Sequence, residues 1–208
     1  YRPAVKISGV GNRAANNLIH DAPHMGILLS GNDHTVEYNV FRDICRDTGD
    51  VGACYIGRDW TMRGNVIRFN IFKNINGPGA GGARAVYLDD LASGTTVYGN
   101  SFRAVTYGVI IGGGRDNTVE NNVFASCDRP VQVDGRGIGW AKANAAPGGS
   151  WRMYERLASV PYDRSPYRSR YRGLSTILRD DPALPKGNVI RRNIAADKNW
   201  LAFNDGVD

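Results

Sequence analysis

Gly31-Asn-Asp-His-Thr-Val-Glu-Tyr-Asn-Val-Phe-Arg-Asp-Ile44 is the stretch whose reading decides the fold. Its kernel is a branched residue, an Asn three places later and a Phe two places after that. The kernel returns in Gly64-Asn-Val-Ile-Arg-Phe-Asn-Ile-Phe72, Thr96-Val-Tyr-Gly-Asn-Ser-Phe102 and Asn117-Thr-Val-Glu-Asn-Asn-Val-Phe124. Degraded copies lie at Asn16-Asn-Leu-Ile19 and Gly187-Asn-Val-Ile-Arg-Arg-Asn-Ile194. Aligned on the Asn, the copies give Asn17, Asn39, Asn70, Asn100, Asn122 and Asn193, spaced 22, 31, 30, 22 and 71 residues apart. A short base period with insertions in some copies is the signature of a stacked repeat.

The columns of this alignment say what stacks. Three places before the Asn stand Ala14, Val36, Ile67, Val97, Val119 and Ile190; two places after it stand Ile19, Phe41, Phe72, Phe102, Phe124 and Ala195. A second strand-like run follows in each copy, as in Ala53-Cys-Tyr-Ile-Gly57, Ala85-Val-Tyr-Leu-Asp89 and Gly108-Val-Ile-Ile-Gly112. Short β-branched and aromatic runs bounded by Gly, Asn and Asp are strands and turns. Side chains alternate faces at period two, so columns of like apolar residues point into one core. One rung cannot bury that face alone and must stack on its neighbours. The expected fold is all-β, a right-handed parallel β-helix with a small helical insertion. The Asn column reads as structural, since Asn accepts left-handed turns and can bond its counterparts in adjacent rungs.

Residues 1–139 read as β-helix rungs, 140–186 as a helical, basic lobe and 187–208 as a further rung, together one domain. The chain enters and leaves within repeat-like sequence, and solenoid ends need caps. A segment of a longer protein is therefore expected, with missing upstream rungs of the same protein as its neighbours. No run approaches the ~18 apolar residues of a membrane span, so no membrane partner is expected. The three cysteines have no metal-ligand spacing, and no metal or other cofactor is called for. Cys54 and Cys127 fall in inward columns as small hydrophobes; Cys45 stays undecided.

Net charge is +6, from 26 Lys and Arg against 20 Asp and Glu. Between Trp140 and Arg192 the count is 11 against 4, so the rest of the chain stands near minus one. No nucleic-acid motif accompanies that basic stretch, and nucleic acid is not an expected partner. Helical spacing marks Ser150–Leu157, Ser165–Tyr171 and Leu174–Leu178 within it. Trp140, Trp151, Tyr154, Leu157 and Leu178 are expected to pack back on the solenoid. Some of Arg152, Arg164, Arg168 and Arg170 are expected to face its Asp-rich side.

Alternation also locates candidate chemistry. If Val86 and Leu88 point inward, Tyr87 and Asp89 point outward, beside Tyr55 of the preceding rung. Gly57 and Gly112 flank Asp89 and would leave room for a ligand. Asp50 lies on the neighbouring insertion, Cys45–Gly52, and projecting loops are where function concentrates. Rungs are ~4.8 Å apart, so carboxylates on adjacent rungs fall at the ~5–9.5 Å used in glycoside hydrolysis. His20 and His24 share a turn, as acid, base or sugar donor, or merely satisfied there. Arg58, Arg115 and Arg136 recur after the second strand; they bind a carboxylate or sugar hydroxyls, or pair with Asp59, Asp116 and Asp134.

His20-Asp-Ala-Pro-His24, Thr48-Gly-Asp-Val-Gly52, Tyr55-Ile-Gly-Arg-Asp-Trp60, Tyr87-Leu-Asp-Asp90 and Gly113-Gly-Arg-Asp-Asn117 resemble motifs of bacterial β-helix proteins related to glycoside hydrolase family 141. That family's activities include α-L-fucosidase and xylanase. The resemblance implies a catalytic aspartate pair at Asp50 and at Asp90 or Asp89. It also implies a polysaccharide or oligosaccharide substrate and a secreted or periplasmic location. His24, Tyr55, Arg58, Tyr87 and Arg115 are the candidate substrate-binding residues. Two other classes stay open: a lyase or epimerase acting on uronate polymers, and a non-catalytic β-helix that binds glycan or serves structurally.

Overall fold

The computed structural model describes residues 2–196 and 199–207. Every strand pairing in it is parallel and joins equivalent segments of successive rungs. Each full rung has three strand segments. A three-residue strand, such as Thr35–Glu37 or Val66–Arg68, belongs to a six-stranded sheet. A left-handed turn residue and the ladder Asn follow, then a second segment such as Val40–Arg42 or Ile71–Ile75. The third segment, such as Val51–Gly57 or Ala83–Asp89, carries the outer face that matters below. In Ser101–Gly112 and Val123–Asp134 the second and third segments run on as one strand. The chain coils through these sheets as a right-handed parallel β-helix.

The register follows the sequence columns. Phe41, Phe72, Phe102 and Phe124 stack with ring centroids 4.8, 5.0 and 4.7 Å apart and planes within 7° of parallel. All four are buried. Val36, Ile67, Val97 and Val119 form a second inward column, and Cys54, Val86, Val109 and Val131 a third. All three cysteines are free and buried; Cys45, undecided from sequence, belongs to the core, and burial raises its thiol to about 12.

The Asn column is a hydrogen-bonded ladder. The backbone N–H of Asn17, Asn39, Asn70, Asn100 and Asn122 each donates to the side-chain oxygen of the next Asn, at 2.9–3.0 Å. Their amide groups cap carbonyls that the turn leaves free. A second ladder, absent from the sequence reading, lies five residues upstream at Asn12, His34, Asn65, Thr95, Asn117 and Asn188. His34 Nδ1 accepts from the Asn12 N–H, which leaves Nε2 to donate to the Ser30 carbonyl. Thr95 is the weak link: among the described residues its buried hydroxyl has no partner. A strand at Val5–Val10 was also missed; it pairs with Ile27–Asn32 ahead of the first recognised copy.

Residues 142–179 contribute short helices at Lys142–Ala145, Met153–Ala158 and Tyr167–Arg170 and a 3₁₀ turn at Leu174–Arg179. Helices this short need tertiary support. It comes from a second core, in which Trp151, Met153, Leu157, Leu174 and Ile177 close over Trp60 and Leu91 of the solenoid. Tyr154 meets Trp60 edge-on at 5.2 Å. Two anchors expected from sequence do not serve: Trp140 is 65% exposed and Leu178 43%, because the turn buries Ile177 instead.

Candidate functional site

Asp89 ends the strand Ala83–Asp89 on the outer face, one rung from Tyr55 and in register with Gly57. This face was expected to be open, but Tyr55, Tyr87 and Asp89 are 5%, 3% and 6% exposed. The cover is Arg136, which reaches back two rungs. Its Nη1 donates to Asp89 at 2.5 Å and to Asp90 at 3.1 Å, while Nη2 and Nε donate to Asp134 at 2.7 and 2.9 Å. Gly112, on the intervening rung, makes this crossing possible, for a Cβ there would lie 2.5 Å from the guanidinium carbon. Gly57 is likewise closed, its missing Cβ 2.9 Å from the Asp89 carbonyl oxygen. Neither glycine leaves room for a ligand: one admits Arg136 and the other the Asp89 backbone.

The charges do not cancel one to one. A single guanidinium serves three buried carboxylates, and a second cation, Arg58, bonds the other oxygen of Asp90 at 2.6 Å. Asp89 also accepts from the Tyr55 hydroxyl at 2.7 Å. Burial, and then the neighbouring Asp90 charge, raise the Asp89 carboxyl above its ordinary range despite Arg136 and the tyrosines. Burial and Asp89 also push the Tyr87 phenol up, so it stays a neutral donor.

Asp50 comes to the same place from the insertion. Its N–H bonds the Gly82 carbonyl at 2.7 Å, and its backbone is left-handed at φ 52°, a conformation Asp tolerates. Its side chain is 76% exposed and meets Arg84 Nη1 at 3.2 Å. The Tyr87 hydroxyl donates to it at 3.3 Å and also interacts with Asp89. The two carboxyl groups thus flank one phenol oxygen. Arg84 is held flat between Tyr87 and Tyr107, 4.6 and 4.9 Å from their centroids. With Arg58, Asp90, Arg136 and Trp140 these groups line a cavity of about 270 Å³. Hollows of about 550 and 640 Å³ lie elsewhere, at the Asp43 corner and against the first rung, but neither gathers such converging buried charges.

The lobe reaches this cavity through tryptophans. Trp140 lies 5.7 Å from the Arg136 guanidinium, and Trp151 lies 5.6 Å from that of Arg58. The lobe core also buries Leu91, whose left-handed backbone at φ 67° follows Asp90 at φ 39°. A branched residue there is strained and persists only where packing holds it. The turn that presents Asp89 and Asp90 is therefore clamped by the second core.

A family model described as a right-handed β-helix region matches residues 3–146. The chain belongs to the right-handed β-helix family. Searches of the curated proteins and of the solved structures find no match.

In this β-helix, Asp50, Asp89, Asp90, Tyr87 and Arg58 line one cavity, and Tyr55 bonds Asp89 from beneath. His24 and Arg115 are not among the cavity residues. The His24 ring accepts from the next backbone N–H at 2.9 Å, and partial burial lowers its pKa. Arg115 is buried against the Asp180 carboxylate and carbonyl, pinning the end of the lobe to the solenoid. Of the three turn pairings foreseen, Arg136–Asp134 and Arg115–Asp116 form, whereas Arg58 pairs with Asp90. The lobe arginines do not line the cavity; Arg170 bonds Asp33 at 2.7 Å instead. Sequence reasoning missed Arg84 and Trp140 as cavity residues. Alternation from Val86 puts Arg84 inside the solenoid, and nothing periodic reports on Trp140. Among the described residues no group of His, Cys, Asp and Glu is arranged to hold a metal ion.

Proposed function

We propose that this β-helix hydrolyses glycosidic bonds in a complex polysaccharide, with Asp89 as general acid and Asp50 as its partner carboxylate. The observation that carries this reading is one cavity holding two carboxyl groups in opposite environments around a shared tyrosine. Asp89 is buried with its carboxyl raised above the ordinary carboxylate range, which favours its protonated form; Asp50 stands exposed at the mouth. Pairs whose surroundings differ in this way divide acid and base roles. Asp89 would give its proton to the departing glycosidic oxygen. Asp50 would attack the anomeric carbon or take a proton from the attacking water. Arg84 and Trp140 border the mouth as hydroxyl donor and apolar platform. The raised carboxyl of Asp89 assigns the acid role to it. The resemblance to glycoside hydrolase family 141 and its extracytoplasmic setting belong to the same proposal.

Turnover on a panel of defined plant and bacterial glycans tests it. Asp89→Asn and Asp50→Asn should each lower kcat/KM by about 10²–10⁴ while each variant stays folded. Reducing-end release without ultraviolet absorbance fits hydrolysis. An unsaturated, absorbing product would favour eliminative cleavage of a uronate polymer, a reading that the three cavity arginines also accommodate. Full activity in both variants would leave the site without a catalytic role.

A further inference from the structure

On the sheet of short strands the outward carboxylates are matched by arginines. Glu37 sits between Arg13 and Arg68, bonded to each at 2.6 Å, and Glu120 bonds Arg191 and Arg192 at 3.1 and 3.0 Å. The second segments do the reverse. Arg42, Lys73 and Arg103 occupy one outward column, each in direct register with the next. Like charges directly opposite one another destabilise a sheet. Asp43 bonds Arg42 at 2.9 Å and offsets one of the three. Among the described residues neither Lys73 nor Arg103 forms an ion pair, and both are exposed. Two residues back along the same face runs a partly apolar column, in which Val40 is half-buried and Ile71 is 48% exposed. The two columns lie about 7 Å apart, two strand residues at ~3.3 Å each. One positive charge therefore recurs per rung beside an apolar track, along the solenoid axis.

We propose that this face binds an anionic polysaccharide laid along the axis, its carboxylates or sulfates on Arg42, Lys73 and Arg103 and its ring faces on Val40 and Ile71. The charge complementarity argues for it: a polymer with one anion per ring meets a cation at each rung spacing of ~4.8 Å and relieves the stacked repulsion. The exposed Tyr38–Phe69 stack two residues before Val40 and Ile71 adds a platform for a sugar ring; a base can stack there as well, so oligothymidylate is the competing polyanion of the test. The surface is distinct from the Asp50–Asp89 cavity and stands whether or not that cavity is catalytic.

Isothermal titration of the whole chain at low salt, with polygalacturonate, dextran sulfate, neutral dextran and oligothymidylate, tests the proposal. Binding to polygalacturonate or dextran sulfate that weakens with added salt is expected, with none to dextran; which of the two binds more tightly separates carboxylate from sulfate. Lys73→Ala combined with Arg103→Ala should weaken it roughly tenfold, about what two exposed ion pairs contribute. Both side chains are exposed, so an unchanged melting curve should accompany the loss. Asp89→Asn should bind like the wild type, which keeps this result separate from any failure of catalysis. No binding to either acidic polymer, undiminished binding by the double variant, or tighter binding to oligothymidylate would overturn it.

Discussion

The interior of this solenoid and the Asp89 face are built on the same strands by opposite rules. Inside, each rung repeats its neighbour: Phe stacks on Phe, Asn bonds Asn, and branched aliphatics fill the remaining columns. Outside, at Asp89, successive rungs place Gly57, Asp89, Gly112 and Asp134 in one column. Repetition gives each interior contact an identical neighbour above and below, which suits a one-dimensional stack. Its absence lets Arg136 cross a glycine and reach two carboxylates two rungs back while holding Asp134 on its own rung. The backbone period supplies position, and departures from it supply chemistry.

Breaking the repeat should cost most. Phe72→Ala removes a ring packed between two others, and a loss of about 3–5 kcal/mol is expected from a buried Phe. Chemical denaturation of wild type and variant measures it; a loss under about 1 kcal/mol would mean that the stack carries little stability.

Breaking the departure should cost less but change more chemistry. Gly112→Ala restores a side chain where the Arg136 guanidinium crosses. Overpacking of this kind costs about 1–3 kcal/mol, and the displaced Arg136 can no longer lower the Asp89 pKa. The carboxyl should titrate higher still than in the wild type. A variant as stable as the wild type, with an unchanged carboxyl, would show that the glycine is incidental.

The comparison is sharpened at a place where the interior itself departs from repetition. Thr95 stands in the second ladder where four other rungs carry Asn, and among the described residues its hydroxyl has no partner. Thr95→Asn should supply an acceptor to the Asn65 N–H and a donor to the rung before, stabilising by about 1 kcal/mol. A neutral or destabilising result would mean that the turn at Thr95 has no space for the amide.

The same contrast explains what could be read from the residues alone. Inward columns, register and the Asn ladder were legible because each is repeated, so a chance match at one rung is corrected by the next. The second ladder escaped notice because His34 and Thr95 hide its column. Alternation placed Tyr55, Tyr87 and Asp89 on one face, and the projecting insertion, then the family resemblance, pointed to Asp50. Neither could show that the face is sealed, since Arg136 and Trp140 reach it by paths that no period encodes. Arg115 and Arg170 looked like ligands for the same reason; their partners, Asp180 and Asp33, are distant in sequence.

The account rests on Asp89 being a buried carboxyl poised to hold a proton, and its titration tests that most directly. The signal is a ¹³C-labelled carboxyl resonance assigned by its disappearance in Asp89→Asn. Its midpoint should lie above the ~3.9 of a free Asp. Because the folded pKa is raised, Asp89 contributes stability that is full below the unfolded value and lost as pH climbs through the folded one. The wild type should therefore lose stability relative to Asp89→Asn from about pH 4 upward. A midpoint at or below that of a free Asp would make Asp89 a permanently ionised partner of Arg136 and contradict its role as the acid.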